Sequence, residues 1–323
     1  MGRLVDGQWR TDWYDTSEGG RFQRPTTRFH GRVEAKPGAT FPAAAGRYHL
    51  YVSLACPWAH RTLIARKLKK LEDTITVSVV DPFMGDEGWS FGEGPGTTPD
   101  AVNGFTHLHQ VYTKADAHYS GRVTVPVLFD KEAGTIVNNE SAEILRMMSD
   151  SGSLGALGDE RVDLCPDELR PEIDAVNARV YEDVNDGVYR TGFATTQGAY
   201  EEAFDRLFAA FDWLEARLGE QRWLVGNRFT EADVRLFATL VRFDAVYYTH
   251  FKCNLRRVVD YPALWGFVRD VYQTPGIAET VSFDHIKRHY FQSHPMINPT
   301  RIVPKGPALD FTGPHGRERL GPR

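Results

Sequence analysis

A short β-branched run breaks on a cysteine and a proline: Tyr51-Val-Ser-Leu-Ala-Cys56-Pro57-Trp58-Ala59-His60. Tyr48 to Leu54 reads as a strand. Arg61 to Leu71, rich in Leu, Ala, Lys and Arg, continues as a helix. Pro57 fits the first helical position, where its missing N–H would have had no partner. The junction therefore commits the chain to a β-α unit with a thiol at the helix N-terminus. Unpaired N–H groups and the helix dipole favour a thiolate there. A lone cysteine is ordinarily a small buried hydrophobe; the setting of Cys56 is what argues for a nucleophile.

More α/β structure follows. Thr74 to Val80 is a second strand, and Asp81 to Gly96 is Gly-rich. Its Gly92-x-Gly94-x-Gly96 has no strand before it and no helical pattern after it, so it is not a nucleotide loop. Val123 to Phe129 and Thr135 to Val137 flank Asp130-Lys-Glu-Ala-Gly134, a hairpin signal, and Glu140 to Met148 reads as a short helix. The order is β-α-β, an insert, then β-β-α. Ser149 to Gly158 is a Gly/Ser-rich linker.

Beyond the linker the pattern is helical. In Glu202 to Leu218 the residues Phe204, Leu207, Phe208, Phe211, Leu214 and Leu218 recur at helical spacing. Phe229-Thr-Glu-Ala-Asp233 is a capping box with Asp in the Glu/Gln place. Val234 to Tyr248 reads as a buried helix and Pro262 to Tyr272 as another. The expected fold is thus α/β plus all-α, in three parts: a polar, aromatic-studded arm over 1–45 without periodicity, an α/β domain over 46–150, and a helical domain over 160–323 ending in a Pro- and Gly-rich tail.

A chain of 323 residues has ample material for two cores. The net charge of −5, with acids and bases interspersed, gives no electrostatic basis for nucleic-acid binding. No run approaches membrane-spanning length, and the N-terminal residues contain no apolar signal core. The three cysteines, Cys56, Cys165 and Cys253, lie far apart; so low and odd a count fits a reducing compartment, and a cytoplasmic protein is expected. Cys165 and Cys253 lack a helix-start setting and read as structural. His107 with His109, and His285 with His289, have no third ligand nearby, so no metal site is expected.

The βαβ-ββα order with Cys56 at the first helix, followed by helices, resembles a glutathione transferase, with an N-terminal thioredoxin-like domain and a C-terminal helical domain. Val125-Pro126, where that fold keeps a cis-proline, Glu140-Ser141 opening a helix, and the capped Phe229 to Asp233 strengthen the likeness. Ser53 to His60, Asp81-Pro-Phe-Met-Gly85, Gly88-Trp-Ser-Phe91, Val137-Asn-Asn-Glu-Ser141 and Tyr189-Arg-Thr-Gly-Phe193 resemble the glutathionyl-hydroquinone reductases, the xi class, over nearly the whole chain.

That resemblance implies glutathione as co-substrate, no permanent cofactor, glutathionyl-hydroquinones as substrates and a homodimer. The backbone at Val125 would pair with the cysteinyl part of glutathione as an added strand. The helix start at Ser141 would take the γ-glutamyl carboxylate, and Glu140 its ammonium. Trp89 and the stretch Arg122, Val123, Thr124, Val125 are assigned to the same site. Tyr189 is implied as proton donor, with Tyr247 and Tyr290 bonding the substrate hydroxyls. With Ala59 three residues after Cys56 there is no resolving thiol, so a mixed disulfide must be cleared by external glutathione. Two other activities remain compatible with these residues: an omega-like thioltransferase or dehydroascorbate reductase, and a non-catalytic ligand-binding protein on the same fold.

Overall fold

The computed structural model describes residues 2–321. The chain divides into two units. One takes the segment ending at Trp13, Pro25–Asp163 and Glu279–Val303; the other takes Tyr14–Arg24, Leu164–Ala278 and the segment from Pro304 onward.

The first unit is built on a four-stranded sheet in the order Ile75–Val79, Tyr48–Val52, Val127–Asp130, Thr135–Asn138. Tyr48–Val52 runs parallel to Ile75–Val79 and antiparallel to Val127–Asp130. A parallel pair needs a crossover, and the Pro57–Leu68 helix supplies it. All five residues of Tyr48–Val52 are buried, as in an inner strand covered on both faces. The hairpin forms where expected: Asp130 Oδ1 accepts from the N–H groups of Glu132 and Ala133, and Gly134 takes φ +67° to turn the chain back. The helix after it spans Ser141–Ser149.

Several elements of this unit lie outside the sequence expectation. Arg3–Val5 and Gln8–Arg10 form a hairpin around Asp6 and Gly7, both at positive φ, and Arg3–Val5 also pairs with Gly121–Arg122. The Leu108–Ala115 helix follows the Gly-rich insert, with His107 closing a capping box with Gln110. The Phe283–Ser293 helix, capped by the Ser282 side chain, belongs to this unit although it follows the helical region in sequence.

The second unit is helical. Gln197–Glu220 buries Leu207, Phe208, Phe211, Leu214 and Leu218, the expected stripe, while Phe204 is half-buried. The capping box at Thr230 forms, and Asp233 also accepts from the N–H of Leu224 at 2.8 Å. The buried run after it is not one regular helix. Glu231–Arg242 is α-helical, and Phe243–Tyr247 widens into a π turn. Such turns recur at functional sites, and this one holds Tyr247. The tail is docked rather than loose: the Arg317 guanidinium donates to the carbonyls of Leu218, Ala263, Gln221 and Arg222. No helix among the described residues is long and apolar enough to cross a membrane.

Candidate active site

Cys56 is the N-cap of the Pro57–Leu68 helix, in extended conformation with Pro57 in the first turn. Its carbonyl accepts the first helical bond from His60, which fixes the residue at the helix end where N–H groups lack helical partners. The residue is 9% exposed. The Sγ–H donates to the carbonyl of Val125 at 3.5 Å, and the Val125-Pro126 bond is cis. The sequence-predicted nucleophile and the backbone expected to receive glutathione are therefore side by side.

Tyr112 fixes that backbone. Its hydroxyl donates to the Thr124 carbonyl at 2.8 Å and accepts from the N–H of Thr124 and from Asn139 Nδ2. Burial pushes the Tyr112 phenol above its ordinary range, which keeps the hydroxyl protonated and able to donate. Sequence reasoning missed this residue, because a tyrosine in an unexpected helix carries no distinguishing signal. Val123 is buried beside it, and Arg122 turns its guanidinium to the carbonyls of Asp12 and Trp13. The Arg122 side chain thus ties the arm to the strand it precedes.

At the Ser141–Ser149 helix, Glu140 is the N-cap and accepts from the Ala142 N–H at 3.2 Å. Its other oxygen accepts from Thr27 of the arm at 3.4 Å. Arg61, only 2% exposed, reaches the Ser141 hydroxyl at 3.4 Å and lies 4.5 Å over the Trp58 ring. A buried cation, a helix N-terminus and a hydroxyl converge here, the donor set a carboxylate requires. Arg61 was legible only as a helix former.

Trp89 is held through its carbonyl by the Leu108 N–H and stacks on His289 at 4.8 Å. His289 Nδ1 faces the Pro82 carbonyl at 2.9 Å, and its ring meets Tyr290 edge-on. The Phe283–Ser293 helix thereby brings Tyr290, almost fully buried, into the aromatic group around Trp89. His285 bonds the Pro95 carbonyl at 2.7 Å. Among the described residues no group of three or more metal-ligating side chains exists.

In the second unit Tyr189 lies on the Gly187–Gly192 helix at 9% exposure. Its ring is surrounded by Phe22, Phe193, Tyr247 and Phe251 at centroid distances of 5.5 to 6.5 Å. Tyr247 is fully buried and stacks on Phe251. Cys253 is fully buried too, donating to the carbonyls of Val188 and Phe251, and burial drives its thiol far above the ordinary range. Cys165 is buried as well.

Residues 55–151 match the family described as glutathione S-transferase, N-terminal domain, and 197–270 its C-terminal domain. The glutathionyl-hydroquinone reductase YqjG of Escherichia coli is 55% identical, covering 98% of this chain and 99% of its own. The glutathione-bound structure of that protein, described as a glutathione transferase homolog, superposes with a TM-score of 0.89 over 98% of this chain and 99% of its own. The glutathionyl-hydroquinone reductase PcpF of Sphingobium chlorophenolicum is 54% identical over 97% of this chain and 98% of its own. A xi class glutathione transferase from Natrialba magadii is 49% identical with a TM-score of 0.93, covering 99% and 98% of the two chains. With likeness of this extent on both a transferase fold and a helix-capping cysteine, the chain belongs to the glutathionyl-hydroquinone reductases, the xi class of glutathione transferases.

Proposed function

We propose that this protein reductively removes glutathione from glutathionyl-hydroquinones, using glutathione itself as co-substrate. The observation that carries the reading is Cys56, a thiol at a helix N-terminus and 3.5 Å from the Val125 carbonyl. In this reading the cysteinyl backbone of the conjugate pairs with Val125, as an added strand does, and its sulfur arrives beside the nucleophile. Glu140, Ser141 and Arg61 take the γ-glutamyl end, and Trp89 covers the peptide.

Cys56 thiolate attacks the glutathione sulfur. A sulfur–sulfur bond forms, the carbon–sulfur bond breaks, and its electron pair leaves on the aromatic carbon. That carbon is a poor leaving group unless a proton is supplied, so a general acid is needed beside the ring. Tyr189 supplies the proton, while Tyr247 and Tyr290 bond the ring hydroxyls. The products are the hydroquinone and Cys56 in mixed disulfide with glutathione. Ala59 leaves no internal thiol in the resolving place, so a second glutathione thiolate attacks the mixed disulfide, restores Cys56 and departs as oxidised glutathione. The cycle needs abundant glutathione, which places the protein in the cytoplasm, and it works as a homodimer, measurable by sedimentation velocity.

The test is a substrate panel. A glutathionyl-hydroquinone should yield one hydroquinone and one oxidised glutathione per turnover, faster than a glutathionyl disulfide is reduced. Failure to cleave any aryl thioether in the presence of glutathione overturns the reading. Faster turnover of the disulfide replaces it with thioltransferase activity.

A further inference from the structure

The arm residues Tyr14–Arg24 belong to the helical unit, and two of them reach Tyr189. The Arg24 guanidinium lies over the Tyr189 ring, 4.8 Å from its centroid. Phe22, two residues earlier and 4% exposed, packs on the same ring. Arg24 is held by Asp186, whose Oδ1 accepts from Arg24 Nε at 2.6 Å and whose Oδ2 accepts from Arg190 Nε at 3.0 Å. Asp186 is the residue before the Gly187–Gly192 helix, and its carbonyl accepts from the Tyr189 N–H. One short segment therefore fixes both the tyrosine and the cation above it.

We propose that Arg24 is a positioning residue for the chemical step, stabilising the phenolate left when Tyr189 gives up its proton. This rests on the reading of Tyr189 as the proton donor. A cation over a ring attracts an electron-rich π face, and a phenolate is richer than a phenol. The contact is thus stronger after proton transfer than before it, which is the condition for speeding the step. Asp186 does not cancel the effect, because its carboxylate is shared between two guanidinium groups. Burial opposes the charge on Arg24, and the ion pair with Asp186 works against that opposition. The charged and titratable groups nearest the pair are Asp186, Arg190, Tyr14 and Tyr247; Glu182 lies 3.7 Å from Arg190, and Glu18, Arg21, Asp183, Glu202 and Arg206 line the same cavity as Arg24. The cavity that Arg24 lines is about 340 Å³, bounded by Asp186, Arg190 and Arg206 among others.

The test is a single turnover of a glutathionyl-hydroquinone without free glutathione, followed by hydroquinone release across pH. Wild type should give a bell, with Cys56 setting the acidic limb and Tyr189 the basic limb. Arg24→Met should slow the step by about tenfold and move the basic limb upward by about one pH unit, because loss of the cation makes Tyr189 a weaker acid. Arg24→Lys should fall between. Methylguanidinium should restore part of the rate to Arg24→Ala and leave Tyr189→Phe unchanged.

If Arg24→Met loses rate while its basic limb stays in place, Arg24 only latches the arm and the proposal fails. If Arg24→Met does not fold, the limb position in Arg24→Lys and the response of Arg24→Ala to guanidinium decide. An unmoved limb with no rescue overturns the proposal. If Tyr189→Phe keeps the wild-type rate and limb, the donor assignment itself falls, an outcome separate from the others.

Discussion

Cys56 and Cys253 are both buried thiols that donate to backbone carbonyls, Cys56 to Val125 and Cys253 to Val188 and Phe251. What separates them is backbone direction. Cys56 is the N-cap residue of a twelve-residue helix, at the end where N–H groups lack helical partners. Cys253 lies beyond the end of the short Tyr248–His250 helix, and its own N–H donates to the Tyr247 carbonyl. The first cysteine stands at a helix N-terminus, where the backbone dipole favours an anion; the second follows a helix C-terminus, where it does not. Burial holds the Cys253 thiol in its protonated form, and solvent reaches neither sulfur freely. Burial alone therefore does not grade cysteine reactivity; the sign of the surrounding backbone dipoles does.

The largest expected effect tests the comparison directly. Cys56→Ser should lower kcat for deglutathionylation by at least about a thousandfold, while Cys253→Ala should leave kcat near wild type. Comparable losses in both would erase the distinction. Alkylation followed by peptide mapping gives a second check. At pH 7 Cys56 should react at least about a hundredfold faster than Cys253, whose thiol burial holds in the protonated form. Equal labelling would show that helix position confers no advantage here.

The strand before Cys56 carries an acid-sensitive group. His49 is fully buried in the inner strand, bonded to Thr76 Oγ1 at 2.7 Å, and burial lowers its pKa to about 4. The unfolded chain takes up this proton near pH 6.5, well before the folded one. Its contribution is therefore whole above about pH 6.5 and is lost as the pH falls toward 4, roughly 3 kcal/mol across that window. Urea unfolding at a series of pH values should show this slope, and His49→Asn should flatten it. An unchanged slope in the variant would assign the acid sensitivity elsewhere.

On the Cys253 side the weak point is packing. A Cβ added at Gly192 would stand 2.2 Å from the Phe251 ring, which also contacts Tyr189 and Tyr247. Gly192→Ala should cost about 1–3 kcal/mol by overpacking, seen as a lower Tm. If Tm holds, the ring can move, and the aromatic group around Tyr189 is looser than the contacts imply.

How much of this was legible depended on the range of the signal. The Cys56 junction, the hairpin at Asp130 to Gly134 and the capping box at Thr230 are local patterns, readable within six residues. The arm hairpin was equally local: Asp6-Gly7 is a two-residue turn signal, hidden because its strands are only three residues long. Tyr112 and Arg61 were illegible because their meaning comes from partners far along the chain, Thr124 and Asn139 for one, Ser141 for the other. Tyr290 came from family likeness alone, since the Phe283–Ser293 helix returns to the first unit from beyond the second. The π turn at Phe243–Tyr247 has no composition that distinguishes it from the α-helix before it.

The smallest expected effect separates binding from chemistry on the Cys56 side. Glu140 both caps the Ser141–Ser149 helix and offers a carboxylate to the glutathione ammonium. Glu140→Gln keeps an oxygen for the Ala142 N–H and removes only the charge. If the carboxylate binds the ammonium, KM for glutathione should rise about tenfold with kcat nearly unchanged, because the contact is the same in the ground and transition states. Tm should hardly move. Glu140→Ala should add the loss of the cap, about 1 kcal/mol of stability. A KM that rises only in the alanine variant, together with the fall in Tm, would make Glu140 a cap and nothing more, leaving Arg61 and the helix start to hold glutathione.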